Sequence, residues 1–407
     1  MTPTQKVETY LQTLCLDIPS RVVGSEGNRQ ATDFFADKVK TFGFETECPT
    51  FDCIDWTNNG ANLTVGEAPF NVFSSPYTLA YHGTAPLKIV STMKELEHVE
   101  AEGDILLVQG ELAKEQLMPK NFVFYNPEHH KQIIHLLEKK NPAAIVAATS
   151  RDPGLAGGMY PFPLIEDGDF DIPSVYMKDV DGESLAKHEG ESVSLEIRAE
   201  RKPAKACNVF ARKGAFSQGK VVYMAHIDTK PKTPGAIDNA SGIIVLLLLA
   251  ELLADYQGEL GLEIIAINGE DYYAASGEMD YLRTQSDTFP QIMLAVNMDG
   301  AGYHKTDTAY SLYNPPEDVA QAVRQTFASR QGMAEGDPWY QSDHSMFIQN
   351  QVPALAITSQ FFMQEAALDI THSPKDRPSI VEPSKLTEIA SALDDLHLRL
   401  NKLTSKT

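Results

Sequence analysis

Two histidines and a set of carboxylates follow apolar stretches in this 407-residue chain. The stretch 221–225 leads into His226-Ile227-Asp228, 262–267 into Gly269-Glu270-Asp271, and 292–296 into Asn297-Met298-Asp299. The loop after the first stretch continues through Pro231, Pro234 and Gly235 to Asp238-Asn239, and Thr371-His372-Ser373-Pro374 lies near the C-terminus. In order, His226, Asp238, Asp271, Asp299 and His372 stand 12, 33, 28 and 73 residues apart. Imidazole with carboxylate is a mixed N/O donor set. It suits Zn²⁺, Co²⁺ or Mn²⁺, and does not suit a thiolate site or an all-oxygen Ca²⁺ cage. Five protein ligands exceed the three of a one-metal catalytic centre and fit two ions about 3.5–4 Å apart with one carboxylate bridging. A water between such ions is acidified toward neutral pH and becomes a nucleophile. A further carboxylate must take its proton, and Glu270, next to a ligand yet not needed as one, is the natural general base. Asp228, two residues after His226, fits a carboxylate that holds a ligand imidazole in one tautomer.

Each motif alone is weak. Gly-Glu-Asp and Asn-Met-Asp-Gly read equally well as turns. Their coincidence carries the reading, because three apolar strands each end in an acid or a histidine at the edge where α/β sheets bind ligands.

The elements that position these residues are legible in the hydrophobic pattern. From Lys205 onward, strands are expected at 208–211, 221–225, 262–267, 292–296, 309–313 and 354–358, and helices at 243–255, 316–330 and 383–403. Continuous apolar strands belong to a sheet covered on both faces. The strand–helix alternation predicts an α/β fold, its central sheet mostly parallel with helices on both faces. Helices are also expected at 5–16 and 28–42, followed by short strands at 44–51, 62–65 and 70–73. Residues 84–202 differ. They offer short strands, one clear helix at 129–140 and a Gly/Pro-rich stretch at 152–163, which reads as a small β-rich insert. The expected organisation is a discontinuous catalytic domain, 1–83 and 203–407, interrupted by an insert domain, 84–202.

Composition narrows the function further. Lys and Arg total 34 against 56 Asp and Glu, a formal charge of −22. That argues against nucleic-acid binding, which needs basic patches, and against docking on anionic membranes. The longest apolar run, 242–254, is interrupted by Glu251 and falls short of the roughly 18–20 residues of a spanning helix. The first residues carry Lys6, Glu8, Asp17 and Arg21 with no apolar signal core, so a cytoplasmic protein is expected. Four cysteines, Cys15, Cys48, Cys53 and Cys207, are too few for a disulfide scaffold. Cys48 and Cys53 flank an extended stretch that would hold them roughly 16 Å apart, so four reduced thiols are expected.

The segment Ala225-His226-Ile227-Asp228, with Pro234-Gly235-Ala236-Ile237-Asp238-Asn239-Ala240-Ser241-Gly242, resembles a block of the co-catalytic di-zinc aminopeptidases and their glutamate-carboxypeptidase and glutaminyl-cyclase relatives. Gly269-Glu270-Asp271 resembles that family's GEE, Asn297-Met298-Asp299 its NxD, Ser342-Asp343-His344 its SDH, and Thr371-His372-Ser373-Pro374-Lys375-Asp376 its THTPxD. The resemblance covers about 1–83 and 203–407. It implies that His226 and Asp299 hold one zinc, that Asp271 and His372 hold the other, and that Asp238 bridges. It also implies Glu270 as base, Asp228 as orienter of His226, and a cis bond at Asp238–Asn239. His344, with Asp343 beside it, becomes a candidate for contact with substrate or oxyanion, a structural hydrogen bond being the alternative for His344. Two departures stand out. Asp271 replaces the usual Glu, which shortens reach by about 1.5 Å, and Tyr272-Tyr273 follow it. Gly103-Asp104-Ile105-Leu106-Leu107-Val108 and Ile172-Pro173-Ser174-Val175 resemble a protease-associated domain. The implied function is a metal-dependent exopeptidase, an aminopeptidase acting on peptide substrates. A carboxypeptidase or dipeptidase, a one-zinc glutaminyl cyclotransferase and a non-catalytic binding relative are the alternatives. The remaining histidines, His82, His98, His129, His130, His135, His188, His304 and His397, have no supporting constellation.

Overall fold

The computed structural model describes residues 1–18, 20–151, 160–363 and 370–404. The chain divides into two compact units, Met1–Cys53 with Lys205–Thr407, and Ile54–Ala204. Along the first unit come α1 (Pro3–Gln12), α2 (Glu26–Thr41) and β1 (Glu45–Glu47). The chain then runs through β2 (Thr50–Val65), β3 (Ala68–Phe70), β4 (Phe73–Ser74), β5 (Tyr81–Val90), α3 (Met93–His98), β6 (Ile105–Val108), α4 (Glu128–Lys140), β7 (Ala144–Thr149), β8 (Ser174–Lys178), α5 (Asp179–Leu185) and β9 (Ser192–Cys207). It returns with β10 (Val209–Lys213), β11 (Lys220–His226), α6 (Ser241–Leu252), β12 (Gly261–Ile267), α7 (Ser276–Gln285), β13 (Ile292–Met298) and β14 (Thr308–Tyr313). Last come α8 (Glu317–Ala328), β15 (Met333–Glu335), α9 (His344–Gln349), β16 (Ala354–Ser359) and α10 (Pro383–Thr404).

The first unit's sheet has the order β1-β10-β12-β11-β13-β16-β14-β15. Its four central strands, β12, β11, β13 and β16, are parallel, and the flanking β10 and β14 run antiparallel to them. β11 and β12 are buried at every position, as their uninterrupted apolar runs require. α6 carries apolar residues all round and is buried from Ser241 to Ala250, with α1, α2 and α10 packed about it. Each fully buried Leu, Ile or Val there contributes about 1.5–3 kcal/mol. The opposite face takes α7, whose Tyr281 ring stacks on Phe210 and packs against Phe289 and Phe347. α7 begins so close to the sheet that a Cβ on Gly277 would lie 1.7 Å from Asn268 O. The chain leaves β11 for β12 on one side and then crosses back to β13 on the other. That reversal opens a crevice at the carboxyl ends of these strands.

The second unit is β-rich, and helices cover its sheet as well. Its sheet runs β3-β2-β9-β5-β6-β7-β8-β4, and β5, β6, β7 and β8 are parallel. Both faces are buried. Ile133, Ile134 and Leu137 of α4 pack over Leu106, Val108, Ile145 and Ala147, while Leu185 of α5 packs with Ile105, Leu107, Val146 and Val175. It is therefore a second α/β sheet. The expected boundary at 83/84 lies at 53/54, because β2 runs beside β9 and β5 pairs with both β9 and β6. The strands expected at 62–65 and 70–73 thus belong to this unit. Of the Gly/Pro-rich stretch, residues 152–159 lie outside the described ones. Among the described residues no helix is long and apolar enough to cross a membrane.

One core histidine carries a pH signature. His397 of α10 lies edge-on to Tyr256 at 4.6 Å, and its Nδ1 is 3.3 Å from the Tyr223 hydroxyl. Burial pushes its pKa down to about 4 from 6.5. The folded value lies below the unfolded one, so the stabilisation is complete above pH 6.5 and is lost as pH falls toward 4. His397→Phe should therefore lose less stability than the wild type across that window, by up to about 3 kcal/mol. Thermal midpoints at graded pH check this, and parallel curves for the two proteins would refute it.

Candidate metal centre

Four loops at the carboxyl ends of the parallel strands bring the candidate ligands together. His226 closes β11 and is fully buried. Its Nε2 lies 3.1 Å from Asp238 Oδ1 and 3.7 Å from Asp299 Oδ1, just past the end of β13. Asp238 turns its other oxygen, Oδ2, to His372 Nε2 at 3.1 Å, and Asp271 Oδ1 stands 3.1 Å from the same nitrogen. Two three-residue clusters result, His226/Asp238/Asp299 and Asp238/Asp271/His372, with Asp238 common to both. The shorter side chain of Asp271 does not open the second cluster, because His372 comes to meet it from a backbone at φ +56. The Asp238–Asn239 peptide is cis.

The arrangement fits divalent cations by its own chemistry. His226 Nε2 is buried and makes no hydrogen bond, although a carboxylate oxygen is 3.1 Å away. Such an atom is placed for a ligand bond and not for a proton. Burial alone would depress His226, yet Asp228, Asp238 and Asp299 beside it drive its pKa well above the usual value. Asp238 is held far below the carboxylate range against the pull of burial, by His226 and His372. Glu270 follows Gly269, whose φ of +111 only glycine adopts easily, and it lines the cavity beside the clusters. Burial pushes its pKa well above 4.5, and Asp271, Asp299 and Asp343 add to the rise against His226. Nitrogen and oxygen donors in this mixture suit zinc.

A second layer of side chains fixes the ligands. Asp376 accepts the N–H groups of Ile237 and Asp238 at 2.7 and 3.0 Å. Asn239 donates to Met298 O and accepts from Gly242 N, tying the bridging loop to β13 and α6. Arg21, 1% exposed, donates to four carbonyls, those of Leu14, Ile227, Pro234 and Gly235. It clamps both ends of the loop between His226 and Asp238. Asp228 sits 3.7 Å from His226 Nδ1, too far for a hydrogen bond. Its oxygens instead accept the N–H groups of Gly269 and Asp271 at 2.7 and 3.0 Å, so it positions the loop that carries Glu270. The motif reading had included Asp376 without a role, and Arg21 only as a charge.

Asp343 and His344 do not face the cavity. His344 is fully buried, with Nε2 donating to Trp339 O at 2.8 Å and Nδ1 3.3 Å from Asn297 Nδ2. Both ring nitrogens are engaged, so the oxyanion role expected of it gives way to the structural one. Asp343 lies buried against Glu278. Burial pushes both carboxyls well above their usual range; the Glu278 charge adds to the rise at Asp343, whereas the hydrogen bond with Asp343 works against the rise at Glu278. The cavity itself, about 190 Å³, is bounded by Asp238, Glu270, Asp299 and His372 on the ligand side and by Trp339, Thr358 and Phe362 on the other. A third group, Glu115/His129/His130, lies in the other unit. There Met118 N–H donates to His130 Nδ1, so His130 Nε2 carries the proton and faces Glu115 Oε1 at 3.2 Å. In that group His129 Nε2 lies 2.9 Å from the same Glu115 oxygen.

The α/β sheet of the first unit thus carries two histidine–carboxylate clusters that share one aspartate. Residues 208–396 match the model of Peptidase family M28. A relative from Mycobacterium tuberculosis, named "Probable lipoprotein aminopeptidase LpqL", is 24% identical over 306 residues, 72% of this chain and 58% of its own length. "Aminopeptidase YwaD" of Bacillus subtilis is 26% identical over 141 residues, 34% of this chain and 31% of its own. The matches thus span less than two thirds of these relatives. The solved structure of BSAP, a zinc aminopeptidase from Bacillus subtilis, superposes with a TM-score of 0.76 at 16% identity, covering 98% of this chain and 95% of that one. That likeness is one of fold.

Removing the Asp376 carboxylate leaves two backbone N–H groups under Asp238 unpaired. Asp376→Ala should weaken metal binding about 10–100-fold. Dialysis against graded chelator followed by metal analysis reads this directly, and retention equal to the wild type would refute the support role.

Proposed function

We propose that this protein is a metal-dependent aminopeptidase that removes N-terminal residues from peptides. The observation that carries the reading is the single carboxylate, Asp238, shared by two histidine–carboxylate clusters at the mouth of a small cavity. In this reading His226 and Asp299 hold one ion, Asp271 and His372 hold the second, and Asp238 bridges them. Two divalent ions, zinc here, supply Lewis acidity toward the scissile carbonyl and lower the pKa of an attacking water. Glu270 takes that water's proton and returns it to the departing amine. Asp228 holds the Glu270 loop in register with His226 through Gly269 and Asp271. Trp339, Thr358 and Phe362 exclude solvent and receive the first side chain of the substrate. A space of about 190 Å³ is small beside the roughly 300–1,000 Å³ of common ligand pockets, which supports trimming of single residues over cleavage within an extended chain. Carboxylates bordering the cavity attract the substrate's terminal ammonium. The unit 54–204 is read as a protease-associated-like insert, and a cytoplasmic location is supported by four free thiols.

Glu270→Gln should keep its metal and lose roughly 10²–10⁴ in kcat. Near wild-type turnover of aminoacyl chromogenic substrates would overturn the assignment. Metal analysis should give two ions per chain, and Asp238→Ala should lose them. An unchanged stoichiometry in that variant would contradict bridging. Chelation should abolish hydrolysis, and N-acetylation of the substrate should block it. Activity indifferent to both would refute the reading.

A further inference from the structure

A second, larger cavity opens in the first unit, away from the metal clusters. Its volume is about 570 Å³, and its lining includes Glu45, Arg212, Lys213, Lys220, Glu263 and Thr288. Lys220 opens β11 and His226 closes it. At about 3.3 Å per residue, the cavity stands roughly 20 Å from the clusters, at the amino end of the parallel strands.

Most of the charge at this cavity is already matched. Glu263, 1% exposed, accepts from Arg212 Nε at 2.6 Å on one oxygen and from Lys220 Nζ at 2.8 Å on the other. Arg212 Nη1 reaches Glu47 at 2.7 Å, and Lys220 Nζ also donates to Thr288 Oγ1 at 3.2 Å. Two cations thus meet two carboxylates, and the network offsets its desolvation because each partner is bonded. Two charges are left over. Lys213 Nζ donates to Phe42 O at 2.9 Å and to Ala254 O, and lies 4.8 Å from the centre of the Phe44 ring. Carbonyl dipoles and a ring face hold this ammonium, and burial draws its pKa below the ordinary value. Among the described residues it has no ion-pair partner. Glu45 is exposed and stands opposite Arg212 in the β1–β10 register, and its carboxylate likewise has no ion-pair partner among them. The remainder is one ammonium and one carboxylate at the wall of one cavity.

We propose that this cavity binds a small zwitterion, a free amino acid or a molecule with the same two end charges, whose carboxylate meets Lys213 and whose ammonium meets Glu45. A simple anion would face Glu45 with a second negative charge, and a simple cation would face Lys213. Only a ligand carrying both signs complements both walls. The volume falls within the roughly 300–1,000 Å³ of common ligand pockets. Free amino acids are also what the proposed reaction releases, so the site reads product at a distance from the metals. The binding itself does not rest on that reading.

The test is calorimetric titration of the full-length, metal-loaded protein with L-leucine and with 6-aminohexanoate, whose end charges lie further apart. Hexanoate and hexylamine carry one end charge each. At least one zwitterion should bind, about tenfold or more tightly than either single-charge analogue, as loss of one charged hydrogen bond predicts. The better zwitterion reports whether the site prefers the spacing of an amino acid or of a dipeptide. Glu45→Gln and Lys213→Met should each weaken that binding by a similar factor. Both should hydrolyse aminoacyl chromogenic substrates at the wild-type rate. Lys213→Met gives up two carbonyl bonds, so Glu45→Gln, on an exposed side chain, decides if the other variant fails to fold. No zwitterion binding, equal binding of hexanoate or hexylamine, or an isotherm unchanged in Glu45→Gln would overturn the proposal. A wild type that binds the zwitterion but hydrolyses nothing would sink the peptidase reading and uphold the site.

Discussion

A negative charge buried between two imidazoles is the constraint on which this molecule depends. Asp238 cannot sit in the apolar interior made by β11, β12 and α6, where an unpaired carboxylate costs several kcal/mol. It sits at the edge of that interior, where the loops bring His226 and His372 to its two oxygens, each at 3.1 Å. Asp376 gathers the N–H groups of Ile237 and Asp238, and Arg21 gathers the carbonyls of the same loop. One side chain takes the donors and the other the acceptors. Between them the loop from His226 to Asp238 has both its backbone donors and its carbonyls held by side chains.

The same division of labour explains why the sheet is so plain. Its central strands are buried and mostly apolar apart from the Lys220–Glu263 pair, and the candidate ligands lie at or just beyond their carboxyl ends. A rigid platform lets short loops hold side chains to within fractions of an ångström, which long loops do not do. His372 is the exception. It arrives from a loop near the C-terminus with its backbone in the left-handed region, a conformation that costs of order 1–3 kcal/mol and persists where surrounding contacts over-determine it.

Most of this was legible in the order of residues, because strand ends and metal-capable side chains both leave local marks. The runs before His226, Glu270 and Asp299 announce strands, and Gly235-to-Gly242 announces the bridging loop. What escaped depends on distant partners. Arg21 looks like any surface arginine until four carbonyls from two segments surround it. Asp228 sits two residues from His226 and suggests a pair, but the hydrogen bonds it makes go to a loop more than forty residues away. His344 follows a suggestive Ser-Asp, yet a carbonyl five residues earlier claims one nitrogen. The second unit's boundary and strand directions were less legible because its apolar runs are short. A run such as Ile-Leu-Leu-Val, buried on both faces, does not disclose whether its neighbours run with it or against it.

The two crossings of the chain between its units have a consequence for how such a chain is put together. The entry to and the exit from Ile54–Ala204 lie side by side, on strands already paired through β1 and β10. The larger unit's sheet therefore closes without help from the 151 residues (204 − 54 + 1) in between. Replacing them by a hairpin turn leaves every strand neighbour of that sheet in place. The chain is thus modular at one place in its sequence: a whole folded unit is inserted within the edge hairpin of another.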